Sequence, residues 1–416
     1  MSNHAPINFE ALYRYNAGRM GRLPSLTKIT LLLSACLALG GLPPFSPSAA
    51  AGVAAPTSRA LLWPLEVPGA LLSSFAEYRY DHLHAGIDIS TGGRTGYKVR
   101  AAATGVIYRL KVEWRGYGRA LYLRHPDGRV SVYGHLERYE EAVLHLERRV
   151  ARRQSEAKTR YPGDIYLDPP IAVRRGQVIA FSGESGVGLP HLHFEVRDHD
   201  DAPIDPFAAG LRPPADRVRP VLESLTVTAA SPQAFVDGVW RERTYPLTGR
   251  GGIETTADPV RIRGPFVASL STYDPAGNGG RSGVGAVEMS IDGRMRYRFA
   301  PRSFRFDQYP ESGLVFDHRG SRLGPAHFSY RLVRLPGNEL AGGDLPVDGE
   351  RAPEGYPGAI DLEPGPHLME IVVGDAAGNT SRARIELRSD PTPEPRGPFG
   401  TAPEPGEVRV DFWPGF

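Results

Sequence analysis

Two short segments pair polar residues at even spacing. "DHLHAGIDIS" (81–90) sets His84 four residues before Asp88, and "GLPHLHFEV" (188–196) sets His191 two residues before His193. On an extended strand, residues two and four apart share a face, so each pair is expected to point one way. A third histidine, His135, ends the strand-like run "VYGHL" (132–136). Imidazole nitrogen and carboxylate oxygen bind zinc at about 2.0–2.2 Å, and a catalytic zinc site uses about three protein ligands and one open position for water. Taken singly, H-x-x-x-D and H-x-H are more often surface or structural features than ligands. Two strand-like segments with paired polar residues, and a third histidine strand between them, are poorly explained by chance or core packing. The chain has a single cysteine, Cys36. That excludes an internal disulfide and a cysteine zinc site, so any metal must be held by histidine and carboxylate.

The elements that must position these residues read as β. The 416 residues allow two or more domains, and 48 glycines with 39 prolines favour short strands joined by turns. From "LLWPLEVPGALLSSF" to about Pro206 the chain alternates strand-like runs with glycine turns, and "HPDGR" at 125–129 carries a hairpin signal, Asp127-Gly128. One segment departs from this. Residues 137–158 are rich in helix formers, with Tyr139, Val143, Leu146 and Val150 at helical spacing. They predict a helical insertion, spanning 137–170, in a β domain. It is expected to serve as a lid or groove wall because it follows "YGHL". After the proline-rich junction "LRPPADRVRP" (211–220) a second set of strand-like runs begins, in which "DPAGN" at 274 and "DAAGN" at 375 are similar turns after similar strands. This predicts an Ig-like β-sandwich region over 213–390, as one domain with insertions or as two. The proline-rich segment 391–416 ends on a strand-like "EVRVDFWPGF".

The start of the chain carries targeting signals. Basic residues precede the apolar run "ITLLLSACLALGGL" (29–42), which is shorter than the roughly 20 residues that span a bilayer. It reads as a signal peptide over 1–51, with small residues before a cleavage point near Ala51 and a linker over 52–60. The alternative is a lipoprotein signal acylated at Cys36. Met20 is a second candidate start. Either way the working part is exported, to the periplasm or cell envelope, and membrane attachment would need lipidation at Cys36. The formal net charge of +2 gives no electrostatic case for nucleic acid.

The segments "FAEYRYDHLHAGIDISTGGRTGYKVRAAATGVI", "GYGRALYLRHPDGRVSVYGHL" and "VRRGQVIAFSGESGVGLPHLHFEVRD" together resemble, in order, the motifs of the lysostaphin-type (LytM-like) zinc endopeptidases, which cut peptide cross-bridges of bacterial peptidoglycan. The resemblance covers roughly residues 70–207 and implies an antiparallel β-sheet peptidase domain, here placed at 61–212. It implies zinc ligands His84, Asp88 and His193. It makes His135 and His191 the two further active-site histidines, one taking a proton from water and one steadying the oxyanion, with the assignment between them open. The peptide stems or cross-bridges of peptidoglycan would be the substrate.

Neighbouring residues are expected to play lesser parts. His82 is given a supporting or structural role, His125 a hydrogen-bonding role beside the hairpin, and Tyr133 a place on the face of His135. His145 and His199 are expected to face solvent, and Gly183, Gly186 and Gly188 to form turns. Two other functions compete. One is a non-catalytic wall-binding or hydrolase-regulating module, with an envelope protein partner for the C-terminal β region. The other is a non-haem iron oxygenase, since two histidines and a carboxylate also suit iron.

Overall fold

Strand alternation decides most of the first region. In Gly105–Val112, Ile107, Leu110 and Val112 are buried between partly exposed neighbours, and in Arg119–Arg124 the four central residues are all buried, a setting that suits branched and aromatic side chains. The computed structural model describes residues 60–67, 69–250, 252–276, 279–323, 326–340 and 358–391. The expected signal peptide, Cys36, most of the 52–60 linker and the C-terminal strand lie outside them.

The main sheet of the first region runs in the order Leu71–Ser73, Ile87–Ser90, His191–Arg197, Val130–Gly134, Arg119–Arg124, Gly105–Val112, Gly163–Val173, with every pairing antiparallel. A smaller sheet joins Lys98–Arg100, Val178–Ser182 and Leu136–Tyr139. His191–Arg197 is central. Leu192, Phe194 and Val196 point into the apolar core, so strand parity sends His191, His193, Glu195 and Arg197 to the other face.

The helix is shorter than its sequence suggests. It spans Leu146–Ala157, while Leu136–Tyr139 and Gly163–Val173 are strands. The chain between Tyr139 and the helix is held in turns, because the buried Glu140 carboxylate accepts the Val143 and Leu144 N–H groups. Tyr139, Leu146 and Val150 are buried as expected of an apolar face, but Val143 is 72% exposed. No residue of 137–170 lines the cleft described below, so the insertion is not its wall.

The second region is also β. One sheet contains Glu242–Pro246, Val221–Ala229, Phe266–Pro275 and Ser329–Arg331. The other contains Val260–Arg263, Thr380–Asp390, Gly365–Gly374, Ala286–Ile291 and Arg294–Phe299, with two parallel pairings, Val260–Arg263 and Ile253–Thr255 both on Thr380–Asp390. Thr380–Asp390 alternates strictly, burying Ala383, Ile385 and Leu387. The buried apolar residues of both regions form one continuous core. Polar contacts add to it: the Gly283 N–H donates to the Glu77 carboxylate at 2.7 Å, and Tyr78 OH lies 2.9 Å from His318 Nδ1.

Candidate metal centre

Asp88 sits on the strand Ile87–Ser90, directly across from His193 in the ladder. His84 does not share that strand: the chain leaves extended pairing after Leu83 and resumes it at Ile87. The common face expected of His84 and Asp88 therefore arises from a break. Gly86 is what permits it, since a Cβ there would meet the Phe194 carbonyl oxygen at 2.3 Å. The turn brings His84 back over the sheet, where the Ser74 carbonyl accepts its Nδ1–H at 2.8 Å.

Three ligand atoms then converge. His84 Nε2 lies 3.0 Å from His193 Nδ1 and 3.2 Å from Asp88 Oδ1, and His193 Nδ1 lies 2.9 Å from the same oxygen. All three side chains are buried. The outer nitrogens are engaged as a metal site requires: Ser74 fixes His84, and the Glu195 carboxylate accepts His193 Nε2–H at 2.8 Å. Glu195 is in turn held by Arg197 Nε at 2.7 Å and Tyr117 OH at 2.5 Å. Arg79 donates to Asp88 Oδ2 at 2.9 Å.

The electrostatics follow from these contacts. Burial would raise Asp88, but the His84 and His193 rings outweigh it and hold the carboxyl well below the usual range. Burial would lower His193, yet its bonds to Asp88 and Glu195 win and raise it to about 9. Burial likewise opposes ionisation of Glu195, and Arg197 with His193 overcomes it, leaving a pKa of about 2. A proton on His193 Nδ1 thus faces the Asp88 oxygen that a metal ion would otherwise meet, and a metal bound there would have to displace it.

Two histidines flank this centre. His191 Nε2 is 3.6 Å from Asp88 Oδ1, and its Nδ1–H donates to the Leu189 carbonyl at 2.8 Å. His135 lies just past the strand Val130–Gly134 with φ 56°, its ring 4.6 Å from that of His191 between centroids. Its Nδ1–H donates to the Ser185 carbonyl at 3.0 Å. Burial, with His193 and His191 nearby, lowers His135 to about 3. A carbonyl can only accept, so each Nδ1 carries a hydrogen, and Nε2 is the nitrogen left to face the centre. The loop that carries Ser185 packs tightly, since at Gly186 (φ 84°) a Cβ would meet the Gly116 carbonyl oxygen at 2.5 Å.

The five residues line a cleft of about 660 Å³ whose far wall belongs to the second region, through Arg281, Tyr309 and Phe328. His82 lines it too, its ring 5.0 Å from Tyr309. The other neighbours sort differently. His125 is buried between the Thr104 carbonyl and the Ser131 hydroxyl. Tyr133 does not share the face of His135, because the strand ends at Gly134. Its hydroxyl accepts the Ala102 N–H within the core. His145 and His199 face solvent. The sequence reading passed over Glu195, Arg197, Tyr117 and Arg79. The first two were within its reach, because the parity that joins His191 to His193 continues to residues 195 and 197.

The stretch that carries these residues is similar to known proteins. Residues 82–206 match the model of Peptidase family M23. The chain is 33% identical over 133 residues to the DD-carboxypeptidase/endopeptidase Mpg of Neisseria meningitidis, covering 32% of this chain and 24% of that protein. It is 31% identical over 155 residues to the lipoprotein NlpD/LppB homolog of Pseudomonas aeruginosa, covering 37% of this chain and 41% of that one. It therefore spans less than half the length of either relative. Among solved structures, a zinc-containing peptidase from Vibrio cholerae is 24% identical with a TM-score of 0.26, over 36% of this chain and 40% of that one. Residues 82–206 of this chain form a domain of peptidase family M23.

Proposed function

We propose that this chain is an exported zinc metalloendopeptidase that hydrolyses the peptide cross-bridges of bacterial peptidoglycan. The observation that carries the reading is the convergence of His84 Nε2, Asp88 Oδ1 and His193 Nδ1, buried at the floor of an open cleft with the outer nitrogens of both histidines already engaged. Two imidazoles and a carboxylate are a donor set that suits zinc. Zinc bound there would bring a water to a pKa of roughly 7 and polarise the scissile carbonyl. The envelope setting draws support from relatives named as lipoproteins and as outer membrane antigens.

The chain's own residues supply the rest. His135 and His191 present their Nε2 atoms beside the ligand cluster, where one of them, when neutral, can take the proton of an attacking water. The imidazolium so formed becomes a donor to the developing oxyanion or to the leaving amine. Glu195, locked by Arg197 and Tyr117, keeps the His193 ring in orientation throughout. The cleft of about 660 Å³, lined by Arg281 and Tyr309 as well as by the histidines, has the volume to admit a short stretch of peptide.

The test is metal analysis of the purified chain combined with release of peptides from purified peptidoglycan. Bound zinc with cleavage supports the proposal. A folded chain that binds no metal and cleaves nothing would instead be a wall-binding or regulatory module, and bound iron with oxygen uptake would make it an oxygenase.

A further inference from the structure

A second buried aspartate stands outside the histidine cluster. Asp274 is the second-last residue of the strand Phe266–Pro275, and Asp375 follows Gly365–Gly374, which belongs to the other sheet of the second region. Asp216 comes from the linker that leaves the peptidase domain. Carboxylate oxygens of the three lie within 4.8 Å of one another. Asp274 is only 9% exposed, and its Oδ1 is buried with no hydrogen-bond partner among the described residues. A buried ionised oxygen left without a partner is costly. Its neighbours make matters worse: burial first, then the Asp375 and Asp216 charges, push Asp274 up to about 7. Asp216 and Asp274 face a cavity of about 220 Å³ that also reaches Gly69–Leu71, at the edge of the peptidase sheet.

We propose that Asp216, Asp274 and Asp375 bind a hard divalent cation, calcium, that ties the interdomain linker to both sheets of the second region. The donor set is all oxygen, with no histidine or cysteine, which selects calcium or magnesium over zinc. Oxygens at about 2.3–2.6 Å from one calcium ion can stand up to roughly 5 Å apart, and the observed spread lies within that limit. The partners of the two flanking carboxylates also fit. Asp375 is oriented by the Asn379 N–H at 2.8 Å and by Asn379 Nδ2 at 2.7 Å, and Asp216 by the Val218 N–H at 2.9 Å. Each bond uses one lone pair and leaves another for an ion. Asn379 Nδ2 also reaches the Asp216 carbonyl at 3.4 Å, so linker and turn are already adjacent. Calcium accepts the irregular, partly hydrated coordination that carboxylates from a strand end, a turn and a linker would give, whereas magnesium demands near-octahedral geometry.

The experiment uses the full chain, freed of metal, reloaded with zinc and titrated with calcium chloride. Calorimetry should show one calcium bound per chain. The melting temperature should rise by about 2 °C at ten times the dissociation constant, with a smaller rise in magnesium at equal concentration. Asp274→Asn should abolish both the heat and the rise, yet melt no lower than the parent without calcium, because it removes a repelled charge. Asp216→Asn, on the more exposed linker, should weaken binding at least tenfold and serves as the second variant if Asp274→Asn does not fold. Asp200→Asn, in the exposed acidic loop, should bind calcium as the parent does. Absence of heat and of a melting shift in the folded parent would overturn the proposal. So would an equal shift in magnesium, or a full calcium response in Asp274→Asn or Asp216→Asn.

Discussion

Asp88 and Asp274 are almost equally buried, at 8% and 9% exposure, and each meets two other ligand-type side chains within 4.8 Å. Their acidities move in opposite directions. Asp88 is held well below the usual carboxylate range, and Asp274 is pushed up to about 7. Burial acts the same way on both, so the surroundings decide. Asp88 looks at two imidazoles and receives Arg79 on its second oxygen. Asp274 looks at two carboxylates. The peptidase region has built its countercharge into the protein, while the second region leaves it to be supplied.

The largest effect should come from removing charge at the first cluster. Asp88→Asn, like His84→Ala or His193→Ala, should lose zinc and with it peptidoglycan cleavage. Its zinc affinity should fall by more than the roughly 10–100-fold that outer partners contribute, as read by competition with a chromogenic chelator. If His191→Ala lost zinc and His193→Ala kept it, the roles of the pair would be reversed.

Next in size are the histidines outside the ligand set. His135→Ala and His191→Ala should each retain zinc and lose cleavage by about 10²–10⁴-fold, the range of general acid–base catalysis. Metal content and turnover measured on one preparation separate the two classes of residue. A zinc-free His135→Ala protein would mean that the loop held by Ser185 shapes the metal site itself.

Glu195 probes the built-in countercharge more finely. Glu195→Gln keeps the shape and an acceptor for His193 but removes the charge. Zinc affinity should drop by about 10–100-fold. Stability should fall as well, since Arg197 loses its buried partner, although Asp201 and Tyr117 still accept from it. The loss should therefore stay below the roughly 3–5 kcal/mol of a fully broken buried pair. Urea unfolding with and without zinc distinguishes the two effects.

These contrasts mark what the sequence made legible. His191 and His193 could be placed because they lie on one unbroken strand, where parity is reliable. His84 and Asp88 converge for a reason parity did not contain: the chain breaks at Ala85 and Gly86, and glycine's close approach to Phe194 swings His84 inward. Glu195 and Arg197 were readable by the same rule and lay one step beyond where it was applied. The helix was drawn too long because helix-forming residues continue through 137–145, where Glu140 diverts the backbone into turns. The likeness of "DPAGN" and "DAAGN" was visible as turn chemistry. Their approach to each other and to Asp216 depends on how two sheets and a linker pack, and no local pattern records that. The same is true of the cleft wall, where Tyr309 and Arg281 come from sequence more than 80 residues beyond His193.

The rule that partners outweigh burial can be checked on a histidine outside both clusters. His125 is about as buried as His193, at 5% against 6% exposure, but its partners are neutral: the Thr104 carbonyl accepts from Nδ1, and the Ser131 hydroxyl meets Nε2 at 2.7 Å. Burial therefore dominates and lowers its pKa, opposite to His193. The unfolded chain, with histidine near about 6.5, then binds more protons than the folded one just below that pH. Stability from His125 is accordingly present above about 6.5 and is lost as pH falls toward its folded value. His125→Gln keeps a donor for Thr104 and an acceptor for Ser131 without a titrating group. Between pH 7 and pH 5.5 its unfolding free energy should decline less steeply than the parent's, by at most about 1 kcal/mol. Equal slopes in the two proteins would show that His125 takes up its proton in the folded state, and that burial without a carboxylate does not hold this ring neutral.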